Sequence, residues 1–446
     1  MHYNLIIKNG TIVTSQESFQ GDIAVSNGKI AKTGNLDSCD TADEVYDASG
    51  KHILPGIIDA HVHFRDPGLT EKEDFETGSI AAAMGGITLI ADMPNVIPVT
   101  STVEHFNEKV SIAKEKSYID FAVFALLNDD NENEMENLKK TGALGFKVFF
   151  GTSTGDVACP SAQVLVKQME NSGKLGIRIG FHAELNEVNS NFTAIAKKET
   201  DSPDGFWLDY ARPVASEFYA IQKILSFAQH TNAKIHIHHI TSEDGAALIN
   251  EAKDKEYDLT AETCPHYLLF NCNEYTHKVY PPIRDESHQE GLWSAINEKV
   301  IDMIASDHAP HTAADKSLPL WEAPAGLNSV QVSLSLMLNE VNKGRISIND
   351  YVRLASEMPA KIWGIYPQKG NLSAGADADI TIVDMNKTKV IRDSELYSKS
   401  KVSPYDGIEV KGIPTATIVR GTFVMKDGNL TGKKGYGELV SPKTSD

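Results

Sequence analysis

The strongest constraint on this 446-residue chain is a recurrence. Eight short, strand-like apolar runs fall between residues 56 and 307, with helical stretches between most of them. The runs are 56–64 (GIIDAHVHF), 86–93 (GITLIADM), 119–126 (IDFAVFAL), 144–150 (LGFKVFF), 176–182 (GIRIGFH), 234–240 (KIHIHHI), 258–264 (DLTAETC) and 302–307 (DMIASD). Helical patterns occupy 73–84, 103–116, 161–171 and 214–230. Eight βα repeats in roughly 250 residues predict an α/β fold, a (β/α)8 barrel of the TIM type, whose chemistry gathers at the C-terminal ends of the strands.

The flanks have a different texture. Residues 1–53 are short β patterns broken by K-N-G and S-N-G hairpin signals, and 377–384 and 416–428 behave alike. One small β-sandwich built from both chain ends is therefore expected, spanning 1–54 and 366–446 around a barrel of 55–365. A formal net charge of −19 argues against nucleic acid or an anionic membrane as partner. The four cysteines form no C-x-x-C pair and fit a reducing compartment. The opening MHYNLIIKNGTIVTS has no basic n-region followed by an apolar run, and no stretch approaches the ~18–20 apolar residues needed to cross a bilayer. A soluble, cytoplasmic protein is the expectation.

The barrel rule makes a demand: residues of metal-ligand type should sit at strand ends. Five of the eight runs comply, through His61 and His63, Lys147, His182, His239 and Asp307. In the first run a period of two puts Asp59, His61, His63 and Arg65 on one face, and an imidazole pair at i, i+2 can hold one metal ion. In the sixth run alternation puts His236 and His238 on one face and His239 on the other. His239, at the strand end before TSED, is the expected ligand, and His236 and His238 are expected to be structural. Asp307 in ASDHAPH can ligate a metal and also move a proton. Lys147 is the odd member, because an ammonium among metal-binding imidazoles suffers both repulsion and desolvation. Either it points out to the helices, which the electrostatics favour, or CO2 has converted it to an anionic carbamate able to bridge two metals.

The stretch 59–100, beginning DAHVHFRDPG and ending ADMPNVIPVT, closely resembles dihydroorotases of the long type within the amidohydrolase superfamily. CPHYL (264–268), PPIR (281–284) and ASDHAPH (305–311) continue the resemblance along the whole chain. It implies a zinc-dependent enzyme of de novo pyrimidine biosynthesis that interconverts N-carbamoyl-L-aspartate and L-dihydroorotate. It further implies two zinc ions held by His61, His63, a carboxylated Lys147, His182, His239 and Asp307. A hydroxide between the metals is the implied attacking group, and Asp307 the general acid and base. Some relatives place an aspartate at the bridging position, a part that Asp156 can take here. Arg65 is the natural bidentate partner of a substrate carboxylate; Asn95 and His311 are implied to share it, with backbone contacts from Ala325 and Gly326. Tyr280 stands where relatives carry an asparagine that reaches the pyrimidine ring. A homodimer and association with aspartate transcarbamoylase are further expectations. The alternatives are another cyclic amidohydrolase (a hydantoinase, dihydropyrimidinase or allantoinase) and a non-catalytic dihydroorotase-like subunit. Competent residues at all six ligand positions weigh against the last.

Overall fold

A computed structural model describes residues 1–151 and 157–443. Among the described residues the expected barrel is present, with eight parallel strands. They are β1 (Ile57–Val62), β2 (Ile87–Asp92), β3 (Asp120–Val123, continued by Ala125–Leu126) and β4 (Phe146–Phe149). Then follow β5 (Ile179–His182), β6 (Ile235–Ile237), β7 (Leu259–Thr263) and β8 (Met303–Ile304). Each pairs in parallel with the next. The ring closes where Val62 bridges His308 and His63 N donates to His308 O at 2.7 Å.

Two of the intervening helices start at a side-chain cap. Asp74 accepts from Thr77 N at the head of Phe75–Met84, and Thr102 accepts from His105 N at the head of Val103–Lys116. Ala162–Leu175 and Val214–Ala228 match the other helical patterns. Outward strand residues such as Phe146, Val148, Ile179, Phe181, Ile235, Ile237, Leu259 and Ala261 join one apolar core beneath the helices. A second apolar group plugs the barrel floor, with Ile58, Ala60, Leu89, Phe124 and Trp363 at its centre. No helix among the described residues is long and apolar enough to cross a membrane.

The β-rich chain ends form one sheet joined at His52–Pro55, which pairs in parallel with His2–Val13 and antiparallel with Ile380–Val390. The sheet folds over its own core of Leu5, Ile7, Ile23, Ile53, Ile380, Ile382 and Ile418. A buried ion cluster ties this domain to the barrel. Lys369 Nζ lies 2.6 Å from Asp120 at the start of β3, 2.7 Å from Asp379 and 2.9 Å from Asp377. Arg420 adds a second ion pair to Asp120. Past the sheet, Leu439 bridges Phe121, so the chain returns to the barrel.

Removing one member of a buried charge cluster strands the others. Lys369→Met is expected to destabilise the fold by about 3–5 kcal/mol in urea unfolding, the range for breaking a buried ion pair.

Candidate active site

Strand parity explains what fills the barrel. On β4 to β7 the residues flanking each inward position face the helices (Phe146 and Val148, Ile179 and Phe181, Ile235 and Ile237, Leu259 and Ala261), so Lys147, Gly180, His236 and Thr260, which stand in register, all face inward. This settles the orientation of Lys147. The outward placement that charge repulsion favours does not occur, because Phe146 and Val148 occupy the helix-facing positions and leave Lys147 no other direction. Its ammonium is fully buried and has no hydrogen-bond partner. Burial, opposed only partly by Glu262 and Asp307, pushes it down to about 7.

Above this layer the strand ends leave extended backbone. Arg65, His239 and Asp307 are buried and hold positive φ of 62°, 39° and 44°, strain of the kind that persists where surrounding packing fixes it. The turn at His239 breaks the simple alternation. Both His238 and His239 lie against His61, with ring centroids 4.6 and 5.4 Å away. A register shift between Asp59 and Val62 breaks the alternation in β1 as well. His61 and His63 face Asp307, whereas Asp59 accepts from Ser306 N at 3.0 Å and lies beside Ser333 and Tyr351 on the helix side. Asp59 is therefore not on the face expected for it.

His61, His239 and Asp307 form a compact group able to hold a metal ion. His61 Nε2 and His63 Nε2 lie 3.4 and 3.2 Å from Asp307 Oδ1, and His182 Nδ1 lies 3.0 Å from His239 Nε2. Zinc bonds of about 2.0–2.1 Å at tetrahedral angles place neighbouring ligands about 3.3 Å apart, so these separations fit. The donors suit a cation in another respect. Burial and the Lys147 charge hold His61, His238 and His239 well below the usual imidazole range, leaving neutral rings with a lone pair to offer. Burial works against the Asp307 carboxylate, but His63 beside it keeps it below the usual range. Asp156, the other bridging candidate, lies outside the described residues.

Next to this group is a cavity of about 30 Å³ lined by His63, Arg65, Asn95, Val279, Tyr280, Asp307, Ala309, Ala325 and Gly326. All the residues expected to meet substrate line it except His311, which stands behind Arg65. His311 Nε2 donates to Ala325 O at 2.9 Å and Lys72 lies 3.3 Å from its Nδ1, so the ring is committed on both nitrogens. Asn95 accepts from His63 Nδ1 at 2.7 Å as well as lining the cavity. Gly326 is required here: at φ 139° a Cβ would fall 2.3 Å from Ala309 O. Arg212 lies face-on to the Tyr280 ring at 3.6 Å and is ion-paired to Glu184, which also accepts from His182 Nε2 at 2.8 Å.

Glu184 and Glu262 are site residues that the motif reading passed over. Each had a signal: Glu184 lies two residues beyond His182 in GFHAE, and Glu262 is an acid inside an otherwise apolar strand. Glu262 Oε1 accepts from His61 Nδ1 at 2.5 Å and from His238 Nδ1 at 2.9 Å, and its Oε2 accepts from His236 Nε2 at 3.0 Å.

A closed parallel barrel with imidazoles and a carboxylate converging on its C-terminal mouth defines a hydrolase of the metal-centre type. The profile of the amidohydrolase family matches residues 52–424, and the chain belongs to that family. It is 34% identical to an L-hydantoinase of Paenarthrobacter aurescens over 98% of both chains. It is 35% identical to an allantoinase of Deinococcus radiodurans over the full length of both, and 34% identical to a dihydroorotase of Methanothermobacter thermautotrophicus over 92% of both. Among solved structures, an L-hydantoinase (dihydropyrimidinase) from Arthrobacter aurescens superposes with a TM-score of 0.95 at 34% identity, covering 98% of this chain and 100% of that one.

The depressed Lys147 makes a pH-dependent prediction for metal-free, CO2-free protein. The folded state releases this proton near pH 7, the unfolded chain near 10.4, so between them the unfolded state binds more protons and stability rises with pH. Relative to Lys147→Met, the wild type is expected to gain about 5 kcal/mol across that window, read by urea unfolding at stepped pH.

Proposed function

We propose that the chain is a cyclic amide hydrolase whose substrate carries a carboxylate, and that it interconverts L-dihydroorotate and N-carbamoyl-L-aspartate. The observation that carries this reading is Arg65. Its guanidinium is buried at the cavity, and its Nε and NH1 have no hydrogen-bond partner. Burying a cation is costly, and burial, offset only in part by the charges of Asp307, Asp92 and Glu73, pushes this one down to about 10. A substrate carboxylate supplies both the charge and the two-pronged acceptor that a guanidinium matches.

The surroundings support an anionic substrate. Lys72, Lys316 and Arg65 all bear on His311, and Lys197 and Arg212 bear on Lys278. A chain with a net charge of −19 thus concentrates cations at one mouth, which raises local anion concentration. Burial and this mutual repulsion push Lys278 and Lys316 down to about 8.

His61, His63, His182, His239, Asp307 and a carboxylated Lys147 are the residues that would hold two zinc ions. The buried, unpartnered Lys147 amine fits this: its lone pair adds to CO2, an N–C bond forms, one N–H proton is released, and an anion replaces an isolated base. Bound metal supplies electrophilic activation of the amide carbonyl and of a water. The protein's own residues do the rest. Arg65 anchors the carboxylate and so fixes the ring in the cavity, with Tyr280 and Val279 forming the opposite lining. Asp307 takes the proton of the attacking water and returns it to the departing ring nitrogen as the C–N bond breaks. In ring closure the same carboxylate removes the ureido proton. Asn95 holds the His63 ring, and Ala325 and Gly326 shape the cavity wall, their carbonyls held by His311 and Lys316.

The second reading is a hydantoinase, favoured by the TM-score of 0.95 to an L-hydantoinase; its substrate lacks the carboxylate. Turnover of L-dihydroorotate, hydantoin, dihydrouracil and allantoin by the zinc-loaded enzyme separates the two. Dihydroorotate is expected to be the preferred substrate, and Arg65→Met to lower its kcat/KM about 100-fold, the upper range for losing a charged hydrogen bond. Turnover of hydantoin or allantoin with none of dihydroorotate overturns the proposal.

A further inference from the structure

We infer that Glu262 is the positioning residue that sets His61, through one carboxylate shared among three imidazoles. The inference rests on the proposed metal-site reading and assigns a role to a residue outside the ligand set. Glu262 is fully buried on β7, and no exposed group competes for it. It accepts from Nδ1 of His61 and Nδ1 of His238 on one oxygen and from Nε2 of His236 on the other. His61 therefore carries its proton on Nδ1 and presents the Nε2 lone pair toward Asp307, 3.4 Å away. A carboxylate behind an imidazole both fixes the tautomer and raises the ring's basicity as a ligand.

The same atoms also form a compact His61–His238–Glu262 group. Its 2.5 and 2.9 Å separations fall short of the ~3.3 Å between neighbouring ligands of one zinc ion. It is a hydrogen-bonded seat and not a metal site. The seat is braced from below and beside. His236 Nδ1 is paired to Thr260 Oγ1 at 2.8 Å, Trp363 lies nearly parallel to His238, and Gly180 provides the room that His238 needs. A Cβ at Gly180 would fall 2.1 Å from His238 Nε2. Imidazoles from β1 and β6 thus converge on one carboxylate of β7 that touches only a single candidate ligand, His61, which sets its role apart from general core polarity.

The test is zinc affinity by chelator competition on full-length protein, for wild type, Glu262→Gln and His236→Gln. Glu262→Gln keeps the shape but removes the charge and must point an N–H at an imidazole. It is expected to weaken zinc binding 10–100-fold, the effect of losing such an outer carboxylate. The absorption spectrum of the cobalt-substituted protein should shift in parallel. His236→Gln, which keeps a donor to Glu262, is expected to retain wild-type affinity. Wild-type affinity in Glu262→Gln, or equal losses in both variants, overturns the assignment. Absence of zinc binding by the wild type overturns the metal-site reading instead. If Glu262→Gln does not fold, long-range 15N–1H correlation of wild-type histidines decides: His61 protonated on Nδ1 supports the assignment, and protonation on Nε2 overturns it.

Discussion

The interior of this barrel has to accommodate an amine that strand geometry will not let out. Lys147 sits between two residues committed to the helix-facing core, so its side chain must enter the barrel, where it meets imidazoles rather than a counter-ion. As an ammonium it repels any metal cation that the surrounding neutral rings would hold. As a neutral amine it is a buried base with no hydrogen-bond partner. In the proposed reading, conversion to a carbamate turns it into an anion that a pair of metals would use. The neutral rings of His61 and His239, the restrained Asp307 and the Glu262 seat all follow from the need to manage charge in a buried space.

Below that layer the molecule behaves as a conventional barrel. Trp363 and Phe124, with ring centroids 4.7 Å apart, close the floor, so the polar layer is held from beneath by apolar packing and opens only at the C-terminal mouth. The β domain bears on the opposite end through Lys369 and its three carboxylates. Stability and chemistry are thus separated along the barrel axis, as the strand-end rule requires.

Much of this was legible in the sequence, because hydrophobic periodicity reports which face of a strand is buried. The eight runs and the helical stretches 73–84 and 103–116 lie where the pattern puts them. What periodicity cannot encode is a departure from extended backbone. The register shift after Asp59 separates that residue from His61, and the left-handed turn at His239 brings it round beside His238. Glu262 was hidden for a different reason: its partners lie 24 to 201 positions away in sequence, and only barrel closure brings three imidazoles to one carboxylate. Arg65 was visible as a residue type, but that its Nε and NH1 lack a protein partner emerges only in three dimensions.

The central claim is that Lys147 acts as a carbamate between two metals rather than as an amine. The most direct measurement is 13C NMR, combined with metal analysis, of enzyme reconstituted with zinc and 13C-labelled bicarbonate. The account predicts two zinc ions per chain and one carbamate carbon resonance that is absent from Lys147→Met. Full zinc loading without that resonance, or a resonance that persists in Lys147→Met, would contradict it.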